Sequence, residues 1–575
     1  MSPPAAVRRA MNGLDRRDWL TAVVIALVVF PLRVAFLLHS PDTAWPHSML
    51  YEGDAPVWAT WANHLMRGEP FEADLAFRTP GVAFPLQWFG WVEPPFTSAK
   101  LLWCAISAAT PAALYLVLAR WHSRRSGIIA SVLLALSFGS FAIATSLNNE
   151  VPYALLLVLI SGATLAWADR PAWHWSIPLG ALHATSLLLR AEHLLLVALL
   201  LGYMIVAGRS AGVRRVLVQV TVTTTTIALL CLPWTLRTHD AARRFNNEAP
   251  TIPYDSMWPE WKPSAITAFE GLPGFARAPN FSALCAFSLR NRWKEVTDAE
   301  VRAYFGNEWK STPECLPEWS IISMKGPLDF ALANHFDADG GFSRVGLGDA
   351  FDPNPDFSFA RPSHNALVIH GYGIGLDSIR SDPKHWLGLV REKLLRFNDG
   401  LVVGLFAHNW PHAVELDRKP IDVATHVRGD APWWTALMLL SIASGAGIAC
   451  VRRADVVWVL MLAYRVAVVI GFYGYARQAI AIAPVTLALS AIAIDAACVK
   501  FVHIADRPRL HAIARWSTFF ATFALLALAA KSAWSPPRLL ARPFADDAKI
   551  NSTPHWGEGA FESTDRLLLV PHAQD

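Results

Sequence analysis

Two carboxylates one residue apart, Glu52 and Asp54, are the side chains of this sequence best suited to do chemistry. They open the stretch YEGDAPVWATWANHLMRGEPFEADLAFRTPG (51–81), which follows directly on a strongly apolar segment. If Glu52-Gly53-Asp54 is extended, both side chains project to one face with Cα atoms roughly 6–7 Å apart. Like charges that close raise the pKa of one carboxyl, which suits a general base working near neutral pH. A lone Glu-x-Asp in water is ordinarily a solvated loop. This one stands where the chain leaves a membrane, and that position favours a site.

Basic and polar residues elsewhere indicate what such a base would serve. They are Arg78 in the Arg-Thr-Pro-Gly turn, Asn149 with Glu150, Arg190 with Glu192, Arg237, Lys393 and Arg477. Topology counting puts all of them on the same face as Glu52 and Asp54. Arginine grips phosphate oxygens bidentately and stabilises a departing anion. A carboxylate base among Arg and Lys at one membrane face therefore suits a phosphate-bearing substrate, its lipid tail lying along apolar helices. Taken singly, each arginine reads as an ordinary interfacial anchor. Their shared side carries the weight.

The elements that must position these residues are membrane helices. Of 575 residues, 53% are hydrophobic and 17% charged, the balance of an all-α polytopic membrane protein. The 25 tryptophans suit interfacial belts or sugar and lipid contact surfaces. A net charge of +4, dispersed among loops, leaves no nucleic-acid footprint. Six cysteines in so long a chain are not a disulfide framework. Cys104, Cys231, Cys450 and Cys498 pack as small hydrophobes, whereas Cys285 and Cys315 are free to pair if their block is extracytoplasmic.

Residues 1–18 carry Arg8, Arg9, Arg16 and Arg17, a flank expected in the cytoplasm. A first span, Trp19 to Leu38, follows and is retained as an anchor; Arg33 near its outer end is expected to snorkel or to face an anionic headgroup. Val57, Trp61, His64 and Leu65 fall at helical spacing, which predicts a helix over 55–66 lying in the interface. Further spans are expected at 100–118, 127–146 and 151–168. The apolar run 176–207 is interrupted by Arg190-Ala-Glu192-His193 and flanked by basic residues on both sides, which makes it two short crossings with that turn outside. A span over 216–234 leads to a polar block, and His385 to Arg396 forms an amphipathic helix returning to the membrane. Spans at 433–451, 455–471, 479–498 and 515–534 complete about eleven crossings.

Four regions follow. They are an N-terminal membrane module (1–234) with its first outer loop at 39–99, an extracytoplasmic block (235–395), a C-terminal membrane module (396–534) and an extracytoplasmic tail (535–575). Asp337, Asp339, Asp349, Asp352 and Asp356 do not match the spacing of a twelve-residue calcium loop and read as solvated turns. No Gly-rich phosphate loop, HExxH or CxxC pair occurs.

The order of motifs resembles a known family. GDAPVWATWANHLMRGEPF followed by FRTPG is similar to the first outer loop of the membrane-embedded C-type (GT-C) glycosyltransferases. The branch is family 39 and the protein O-mannosyltransferases, with the related aminoarabinose and lipopolysaccharide-core sugar transferases. LLLRAEHLLL looks like the family's Leu-Thr-Arg-Pro-Glu turn, PWTLR its Pro-Trp-x-x-Arg exit, and YARQAIAIAPV its Arg-Tyr-x-x-x-x-x-Pro segment. The likeness keeps its order from about residue 15 to 500, apart from the polar block. It implies a GT-C-like helical bundle that transfers a sugar, with inversion, from a polyprenyl-phosphate donor to a glycan, lipid or protein acceptor at the extracytoplasmic face. It implies Asp54 as the base that deprotonates the acceptor hydroxyl, with Glu52 assisting or helping to hold a divalent metal. Arg237, Lys393, Arg477 and Arg190 are implied as donor-phosphate ligands, and a bacterial inner membrane as the location. Where many members have Asp-Glu this chain has Asp54-Ala55, and Trp58, Ala191 and Gln478 replace a tyrosine, a proline and a tyrosine.

Two other classes fit parts of the pattern. A transporter or lipid flippase would use the same charges as a translocation path, and would need them near the midplane of broken, repeated helices. A non-catalytic scaffold or sensor would bind a partner through the outer block and would tolerate Asp54→Asn.

Overall fold

A computed structural model describes residues 13–39, 58, 61–62, 65–67, 78–89, 97–145, 147–248, 315–335, 338–341, 347, 357, 362–403, 432–451, 455–474 and 476–504. Glu52, Asp54, Cys285, the expected span 515–534 and the tail lie outside the described residues.

The described residues form helices and their connections, and the chain is a multi-pass membrane protein. Helix α1 (Arg16–His39) packs along α3 (Thr97–Trp121), with the short α2 (Ala83–Phe89) between them in sequence. Helices α4 (Arg124–Ala135), α5 (Phe138–Ala144) and α6 (Glu150–Asp169) follow, α4 and α6 both lying against α3. Next come α7 (Trp173–Leu189), α8 (His193–Ala207) and the long α9 (Val213–Glu248), which runs back along α7. Beyond it are α10 (Lys325–Ala333), α11 (Pro362–Ser381), which packs on α10, and α12 (Pro383–Val403). The last group is α13 (Pro432–Val451), α14 (Val456–Gly471), α15 (Ala476–Ile480) and α16 (Ala483–Ile504), with α16 packed on α13 and α4.

Five helical segments are long and apolar enough to cross a bilayer: Arg16–Leu38, Thr97–Trp121, Glu150–Asp169, His193–Ala211 and Val213–Asn247. Their outer faces stay apolar. In α1, Trp19, Leu20, Val23, Leu27 and Val28 are all more than half exposed, a surface that only lipid would cover at no cost. The opposite stripe (Ala22, Val29, Phe36) is buried at the helical period and meets α3 and α4.

Arg33 lies on that buried stripe, fully enclosed, rather than snorkelling to an interface. The reason is a second departure from the hydropathy pattern. The expected span 127–146 is broken: α4 stops at Ala135, Leu136 caps it, and α5 begins at Phe138. A helix end leaves carbonyls without intrahelical donors. Arg33 supplies donors to two of them, Ala135 O at 3.0 Å and Leu134 O at 3.4 Å, and reaches Ser107 Oγ at 3.2 Å. A cation at a helix C-terminus also opposes the negative end of the helix dipole. The span expected to end at Trp234 likewise continues, through Pro233, as helix to Glu248.

At the end of the bundle holding Asp18 and Asp169, the basic run after α3 is spent on acids. Arg124 pairs with Asp15 (2.7 Å) and Asp18 (2.6 Å), Arg125 with Asp495 (3.0 Å), and His122 contacts Asp455 (3.1 Å).

Candidate functional site

The opposite end of the same helices holds Glu150, Arg190, Glu192 and Arg477, four of the residues that the sequence singles out. The turn between α7 and α8 is where it was expected. Arg190 leaves α7 in an extended conformation, Glu192 precedes α8, and both side chains turn into the protein. Arg190 is 5% exposed and spends its guanidinium on three partners. Its Nη1 donates to Glu150 Oε1 (2.9 Å), its Nε to Glu192 Oε1 (2.7 Å) and its Nη2 to Gln478 Oε1 (3.1 Å). Arg477 Nε lies 3.1 Å from the same Glu150 oxygen. Thus Glu150, Arg190 and Arg477, read separately along the chain, meet in one cluster.

A residue not singled out from the sequence completes it. Arg465 sits within α14, wholly buried, and donates from Nη1 to Glu192 Oε1 (3.2 Å) and from Nε to the Gln478 carbonyl (3.3 Å). An arginine inside an apolar helix is costly unless paired, and that was the signal available in the sequence. Behind the ions lies a column of hydrogen-bonded rings. Tyr153 OH shares hydrogen bonds with Tyr464 OH (3.0 Å) and His193 Nδ1 (2.9 Å), and His193 Nε2 meets His183 Nδ1 (2.8 Å). The Arg190 guanidinium stands over the Tyr153 ring at 5.5 Å. These groups lock the positions of the charges before any ligand arrives.

The first outer loop is tied to this cluster. Thr79 Oγ1 donates to Leu189 O (2.7 Å), and Gly81 N donates to Leu188 O (2.8 Å), next to Arg190. A Cβ on Gly81 would come within 2.7 Å of the Leu188 carbonyl, so the close approach requires glycine. Arg78 therefore enters the neighbourhood of the cluster. Asn149 does too, its Nδ2 donating to Leu189 O at 3.1 Å. Trp58, Trp61 and Ala62 are helical and buried in the common core, so the helix expected in the interface packs at least these residues inward.

Asp329 on α10 borders the site. Burial pushes its carboxyl up, while Lys325 at 3.5 Å and Arg78 pull it back. For Glu192 burial also pushes upward, but the Arg190 and Arg465 guanidiniums outweigh it and hold the carboxyl at about 2. Burial pushes the Arg477 guanidinium down to about 9, which leaves it cationic at neutral pH.

Lys393 is brought close by backbone packing. Gly474, three residues before Arg477, lies so tightly on the Lys393 carbonyl that a Cβ there would clash with it. The ammonium is fully buried and bonds to neutral acceptors, Asn334 Oδ1 (3.0 Å) and Ile470 O (3.1 Å). Burial pushes its pKa down to about 7 from 10.5. The unfolded chain then binds more protons than the folded one between those values, so stability rises with pH from about 7 to about 10.5. Lys393→Met is expected to flatten that rise, as thermal unfolding across the window would report. An unchanged slope would assign it to other groups.

Arg237 lies one turn beyond Trp234, whose ring meets Phe84 edge-on and whose Nε1 donates to Ile322 O (2.9 Å). Among the described residues no three His, Cys, Asp or Glu side chains converge as metal ligands. The pair suggested for a metal, Glu52 and Asp54, lies outside those residues, so no step is drawn through a metal.

No protein-family model matches the sequence, and no characterised protein does. Among solved structures, the chain is similar to the oligosaccharyltransferase of Archaeoglobus fulgidus in complex with zinc and sulfate, with TM-score 0.43, 13% identity, 89% of this chain and 53% of that one. The same archaeal enzyme in complex with an inhibitory peptide and a dolichol-phosphate gives TM-score 0.43 and 13% identity over 90% and 56% of the two chains. ArnT from Cupriavidus metallidurans bound to undecaprenyl phosphate gives TM-score 0.30 and 12% identity over 84% and 79%. The chain thus spans about half the length of the archaeal enzyme. Likenesses this distant leave the function to be argued from the site.

Proposed function

We propose that this protein is a C-type membrane glycosyltransferase. It would move a sugar from a polyprenyl-phosphate donor to an acceptor hydroxyl at the extracytoplasmic face, with Asp54 as general base. The observation that carries this reading is the meeting of Arg190, Arg465 and Arg477 at one end of the membrane helices, with the Arg78 turn bonded alongside. Three rigid guanidiniums at a bilayer boundary suit an anion that is part lipid and part phosphate. When the glycosyl bond breaks, the phosphate keeps the electron pair, and cations held in place beforehand stabilise that charge without reorganising. The base takes the acceptor proton as its oxygen attacks the anomeric carbon from the face opposite the phosphate.

Arg190, Arg477 and Lys393 are the donor-phosphate ligands in this reading, Arg237 an outer contact, and Glu150 and Glu192 hold the arginines in position. A translocation path would need its charges near the bilayer midplane. The ion pairs of Arg124 and Arg125 and those of Arg190 and Arg477 stand instead at the two ends of the bundle. The test uses the purified full chain in lipid with a radiolabelled sugar on polyprenyl phosphate, membrane extract supplying the acceptor. Release of free polyprenyl phosphate is the expected result. Folded protein that releases none with any common donor sugar would overturn the proposal, and donor crossing the bilayer unchanged would favour a flippase.

A further inference from the structure

The end of the bundle opposite the Arg190 cluster carries a second feature, with a different chemistry. A cleft of about 820 Å³ opens there between the start of α7 and the start of α9. Helix α6 runs from Glu150 in the cluster to Asp169 beside the cleft, a rise of about 30 Å for twenty residues, so the two places lie at opposite membrane faces. In the topology expected from the basic flanks, the cleft faces the cytoplasm.

Arg214 and Arg215 line it, with Trp173, His174 and Gln219. Both arginines are exposed, and neither is in an ion pair with a described residue. They differ in this from Arg124 and Arg125 at the same end, which acids neutralise. Asp169, four residues before Trp173, accepts instead from Trp121 Nε1 (2.9 Å).

Gln219 adds an independent indication. It is only 4% exposed, and its Oε1 accepts from Trp167 Nε1. The indole can only donate, so the amide orientation is fixed and the NH2 end is the free one. That NH2 has no partner among the described residues, and the residue lines the cleft. The NH2 is therefore offered to the cleft as a hydrogen-bond donor, which an acceptor bound there would engage.

The surroundings decide what kind of acceptor. Trp173 is 66% exposed, Val213 63% and Val218 55%, giving an apolar rim directly continuous with the lipid-facing side of α9. An aromatic ring, aliphatic rim and two free guanidiniums at the end of two spans match a lipid better than a soluble anion. We propose that this cleft binds the phosphodiester headgroup of an anionic phospholipid in the leaflet opposite the candidate active site. Arg214 and Arg215 would meet the phosphate oxygens, the Gln219 NH2 would donate to one of them, and the acyl chains would run along Val213 and Val218. The proposal does not depend on the transferase reading.

The test is retention of phosphatidylglycerol against phosphatidylcholine of the same acyl chains, measured by native mass spectrometry on the full chain purified from mixed vesicles. Wild type is expected to favour phosphatidylglycerol by about ten-fold, and Arg214→Gln/Arg215→Gln to lose most of that preference. Gln219→Glu keeps an acceptor for Trp167 but puts a negative charge at the donor end, and is expected to lose it as well at an unchanged melting temperature. Equal retention of both lipids by wild type, or an undiminished preference in either variant, would overturn the assignment. So would displacement of the lipid by inorganic phosphate, which would make the cleft a site for soluble anions.

Discussion

Asp54→Asn is expected to slow release of free polyprenyl phosphate by about 10²–10⁴-fold, the usual contribution of a positioned general base. The substitution keeps size and hydrogen-bonding capacity and removes only the ability to take a proton. Donor binding should therefore persist while turnover falls. Later in the same loop, Trp58 is 2% exposed and donates from Nε1 to Thr79 O at 3.3 Å, and Thr79 in turn is bonded to Leu189, beside Arg190. A release rate in Asp54→Asn equal to wild type would move the chemistry to Glu52 or to the outer block. Loss of donor binding together with turnover would make Asp54 a structural residue of the loop.

Arg465→Met is expected to destabilise the folded protein by about 3–5 kcal/mol, the cost of removing one partner from a buried ion pair. Arg465 is wholly enclosed, and its loss leaves Glu192 paired, among the described residues, with Arg190 alone and the Gln478 carbonyl without that donor. The change is largest where water cannot enter. Arg391→Met is the contrast: that side chain is 73% exposed, its pair with Glu392 is open to solvent, and the expected effect is within about 0.5 kcal/mol. Thermal unfolding in detergent would measure both. Arg465→Met/Glu192→Gln should be less unstable than the sum of its single changes, because the neutral amide removes the charge that the first substitution strands. Strict additivity would mean that the two residues are not coupled, against the 3.2 Å contact.

Much of the fold was legible because hydropathy is a local sum. The α1, α3, α6 and α9 spans and the break at Arg190 follow from runs of apolar residues and from the charges that interrupt them. The Arg-Thr-Pro-Gly turn was legible for a similar reason, since proline and glycine restrict the backbone wherever they stand. The break between α4 and α5 was not legible, because 127–146 carries no charge and no proline, and the open carbonyls at the break are met by donors of Arg33 arriving from another helix.

The candidate site divides along the same line. The sequence by itself determined that the chain crosses membranes repeatedly and that Arg190, Glu192 and Glu150 stand at helix ends, because solvation energy selects those ends residue by residue. The tertiary structure alone decided that Arg477 would share Glu150 with Arg190, that Arg465 would be buried against Glu192, and that Lys393 would be enclosed and bonded to the neutral acceptors Asn334 Oδ1 and Ile470 O. Pairing buried charges depends on distances of about 3 Å between residues hundreds of positions apart, and only the packing of the helices sets those distances.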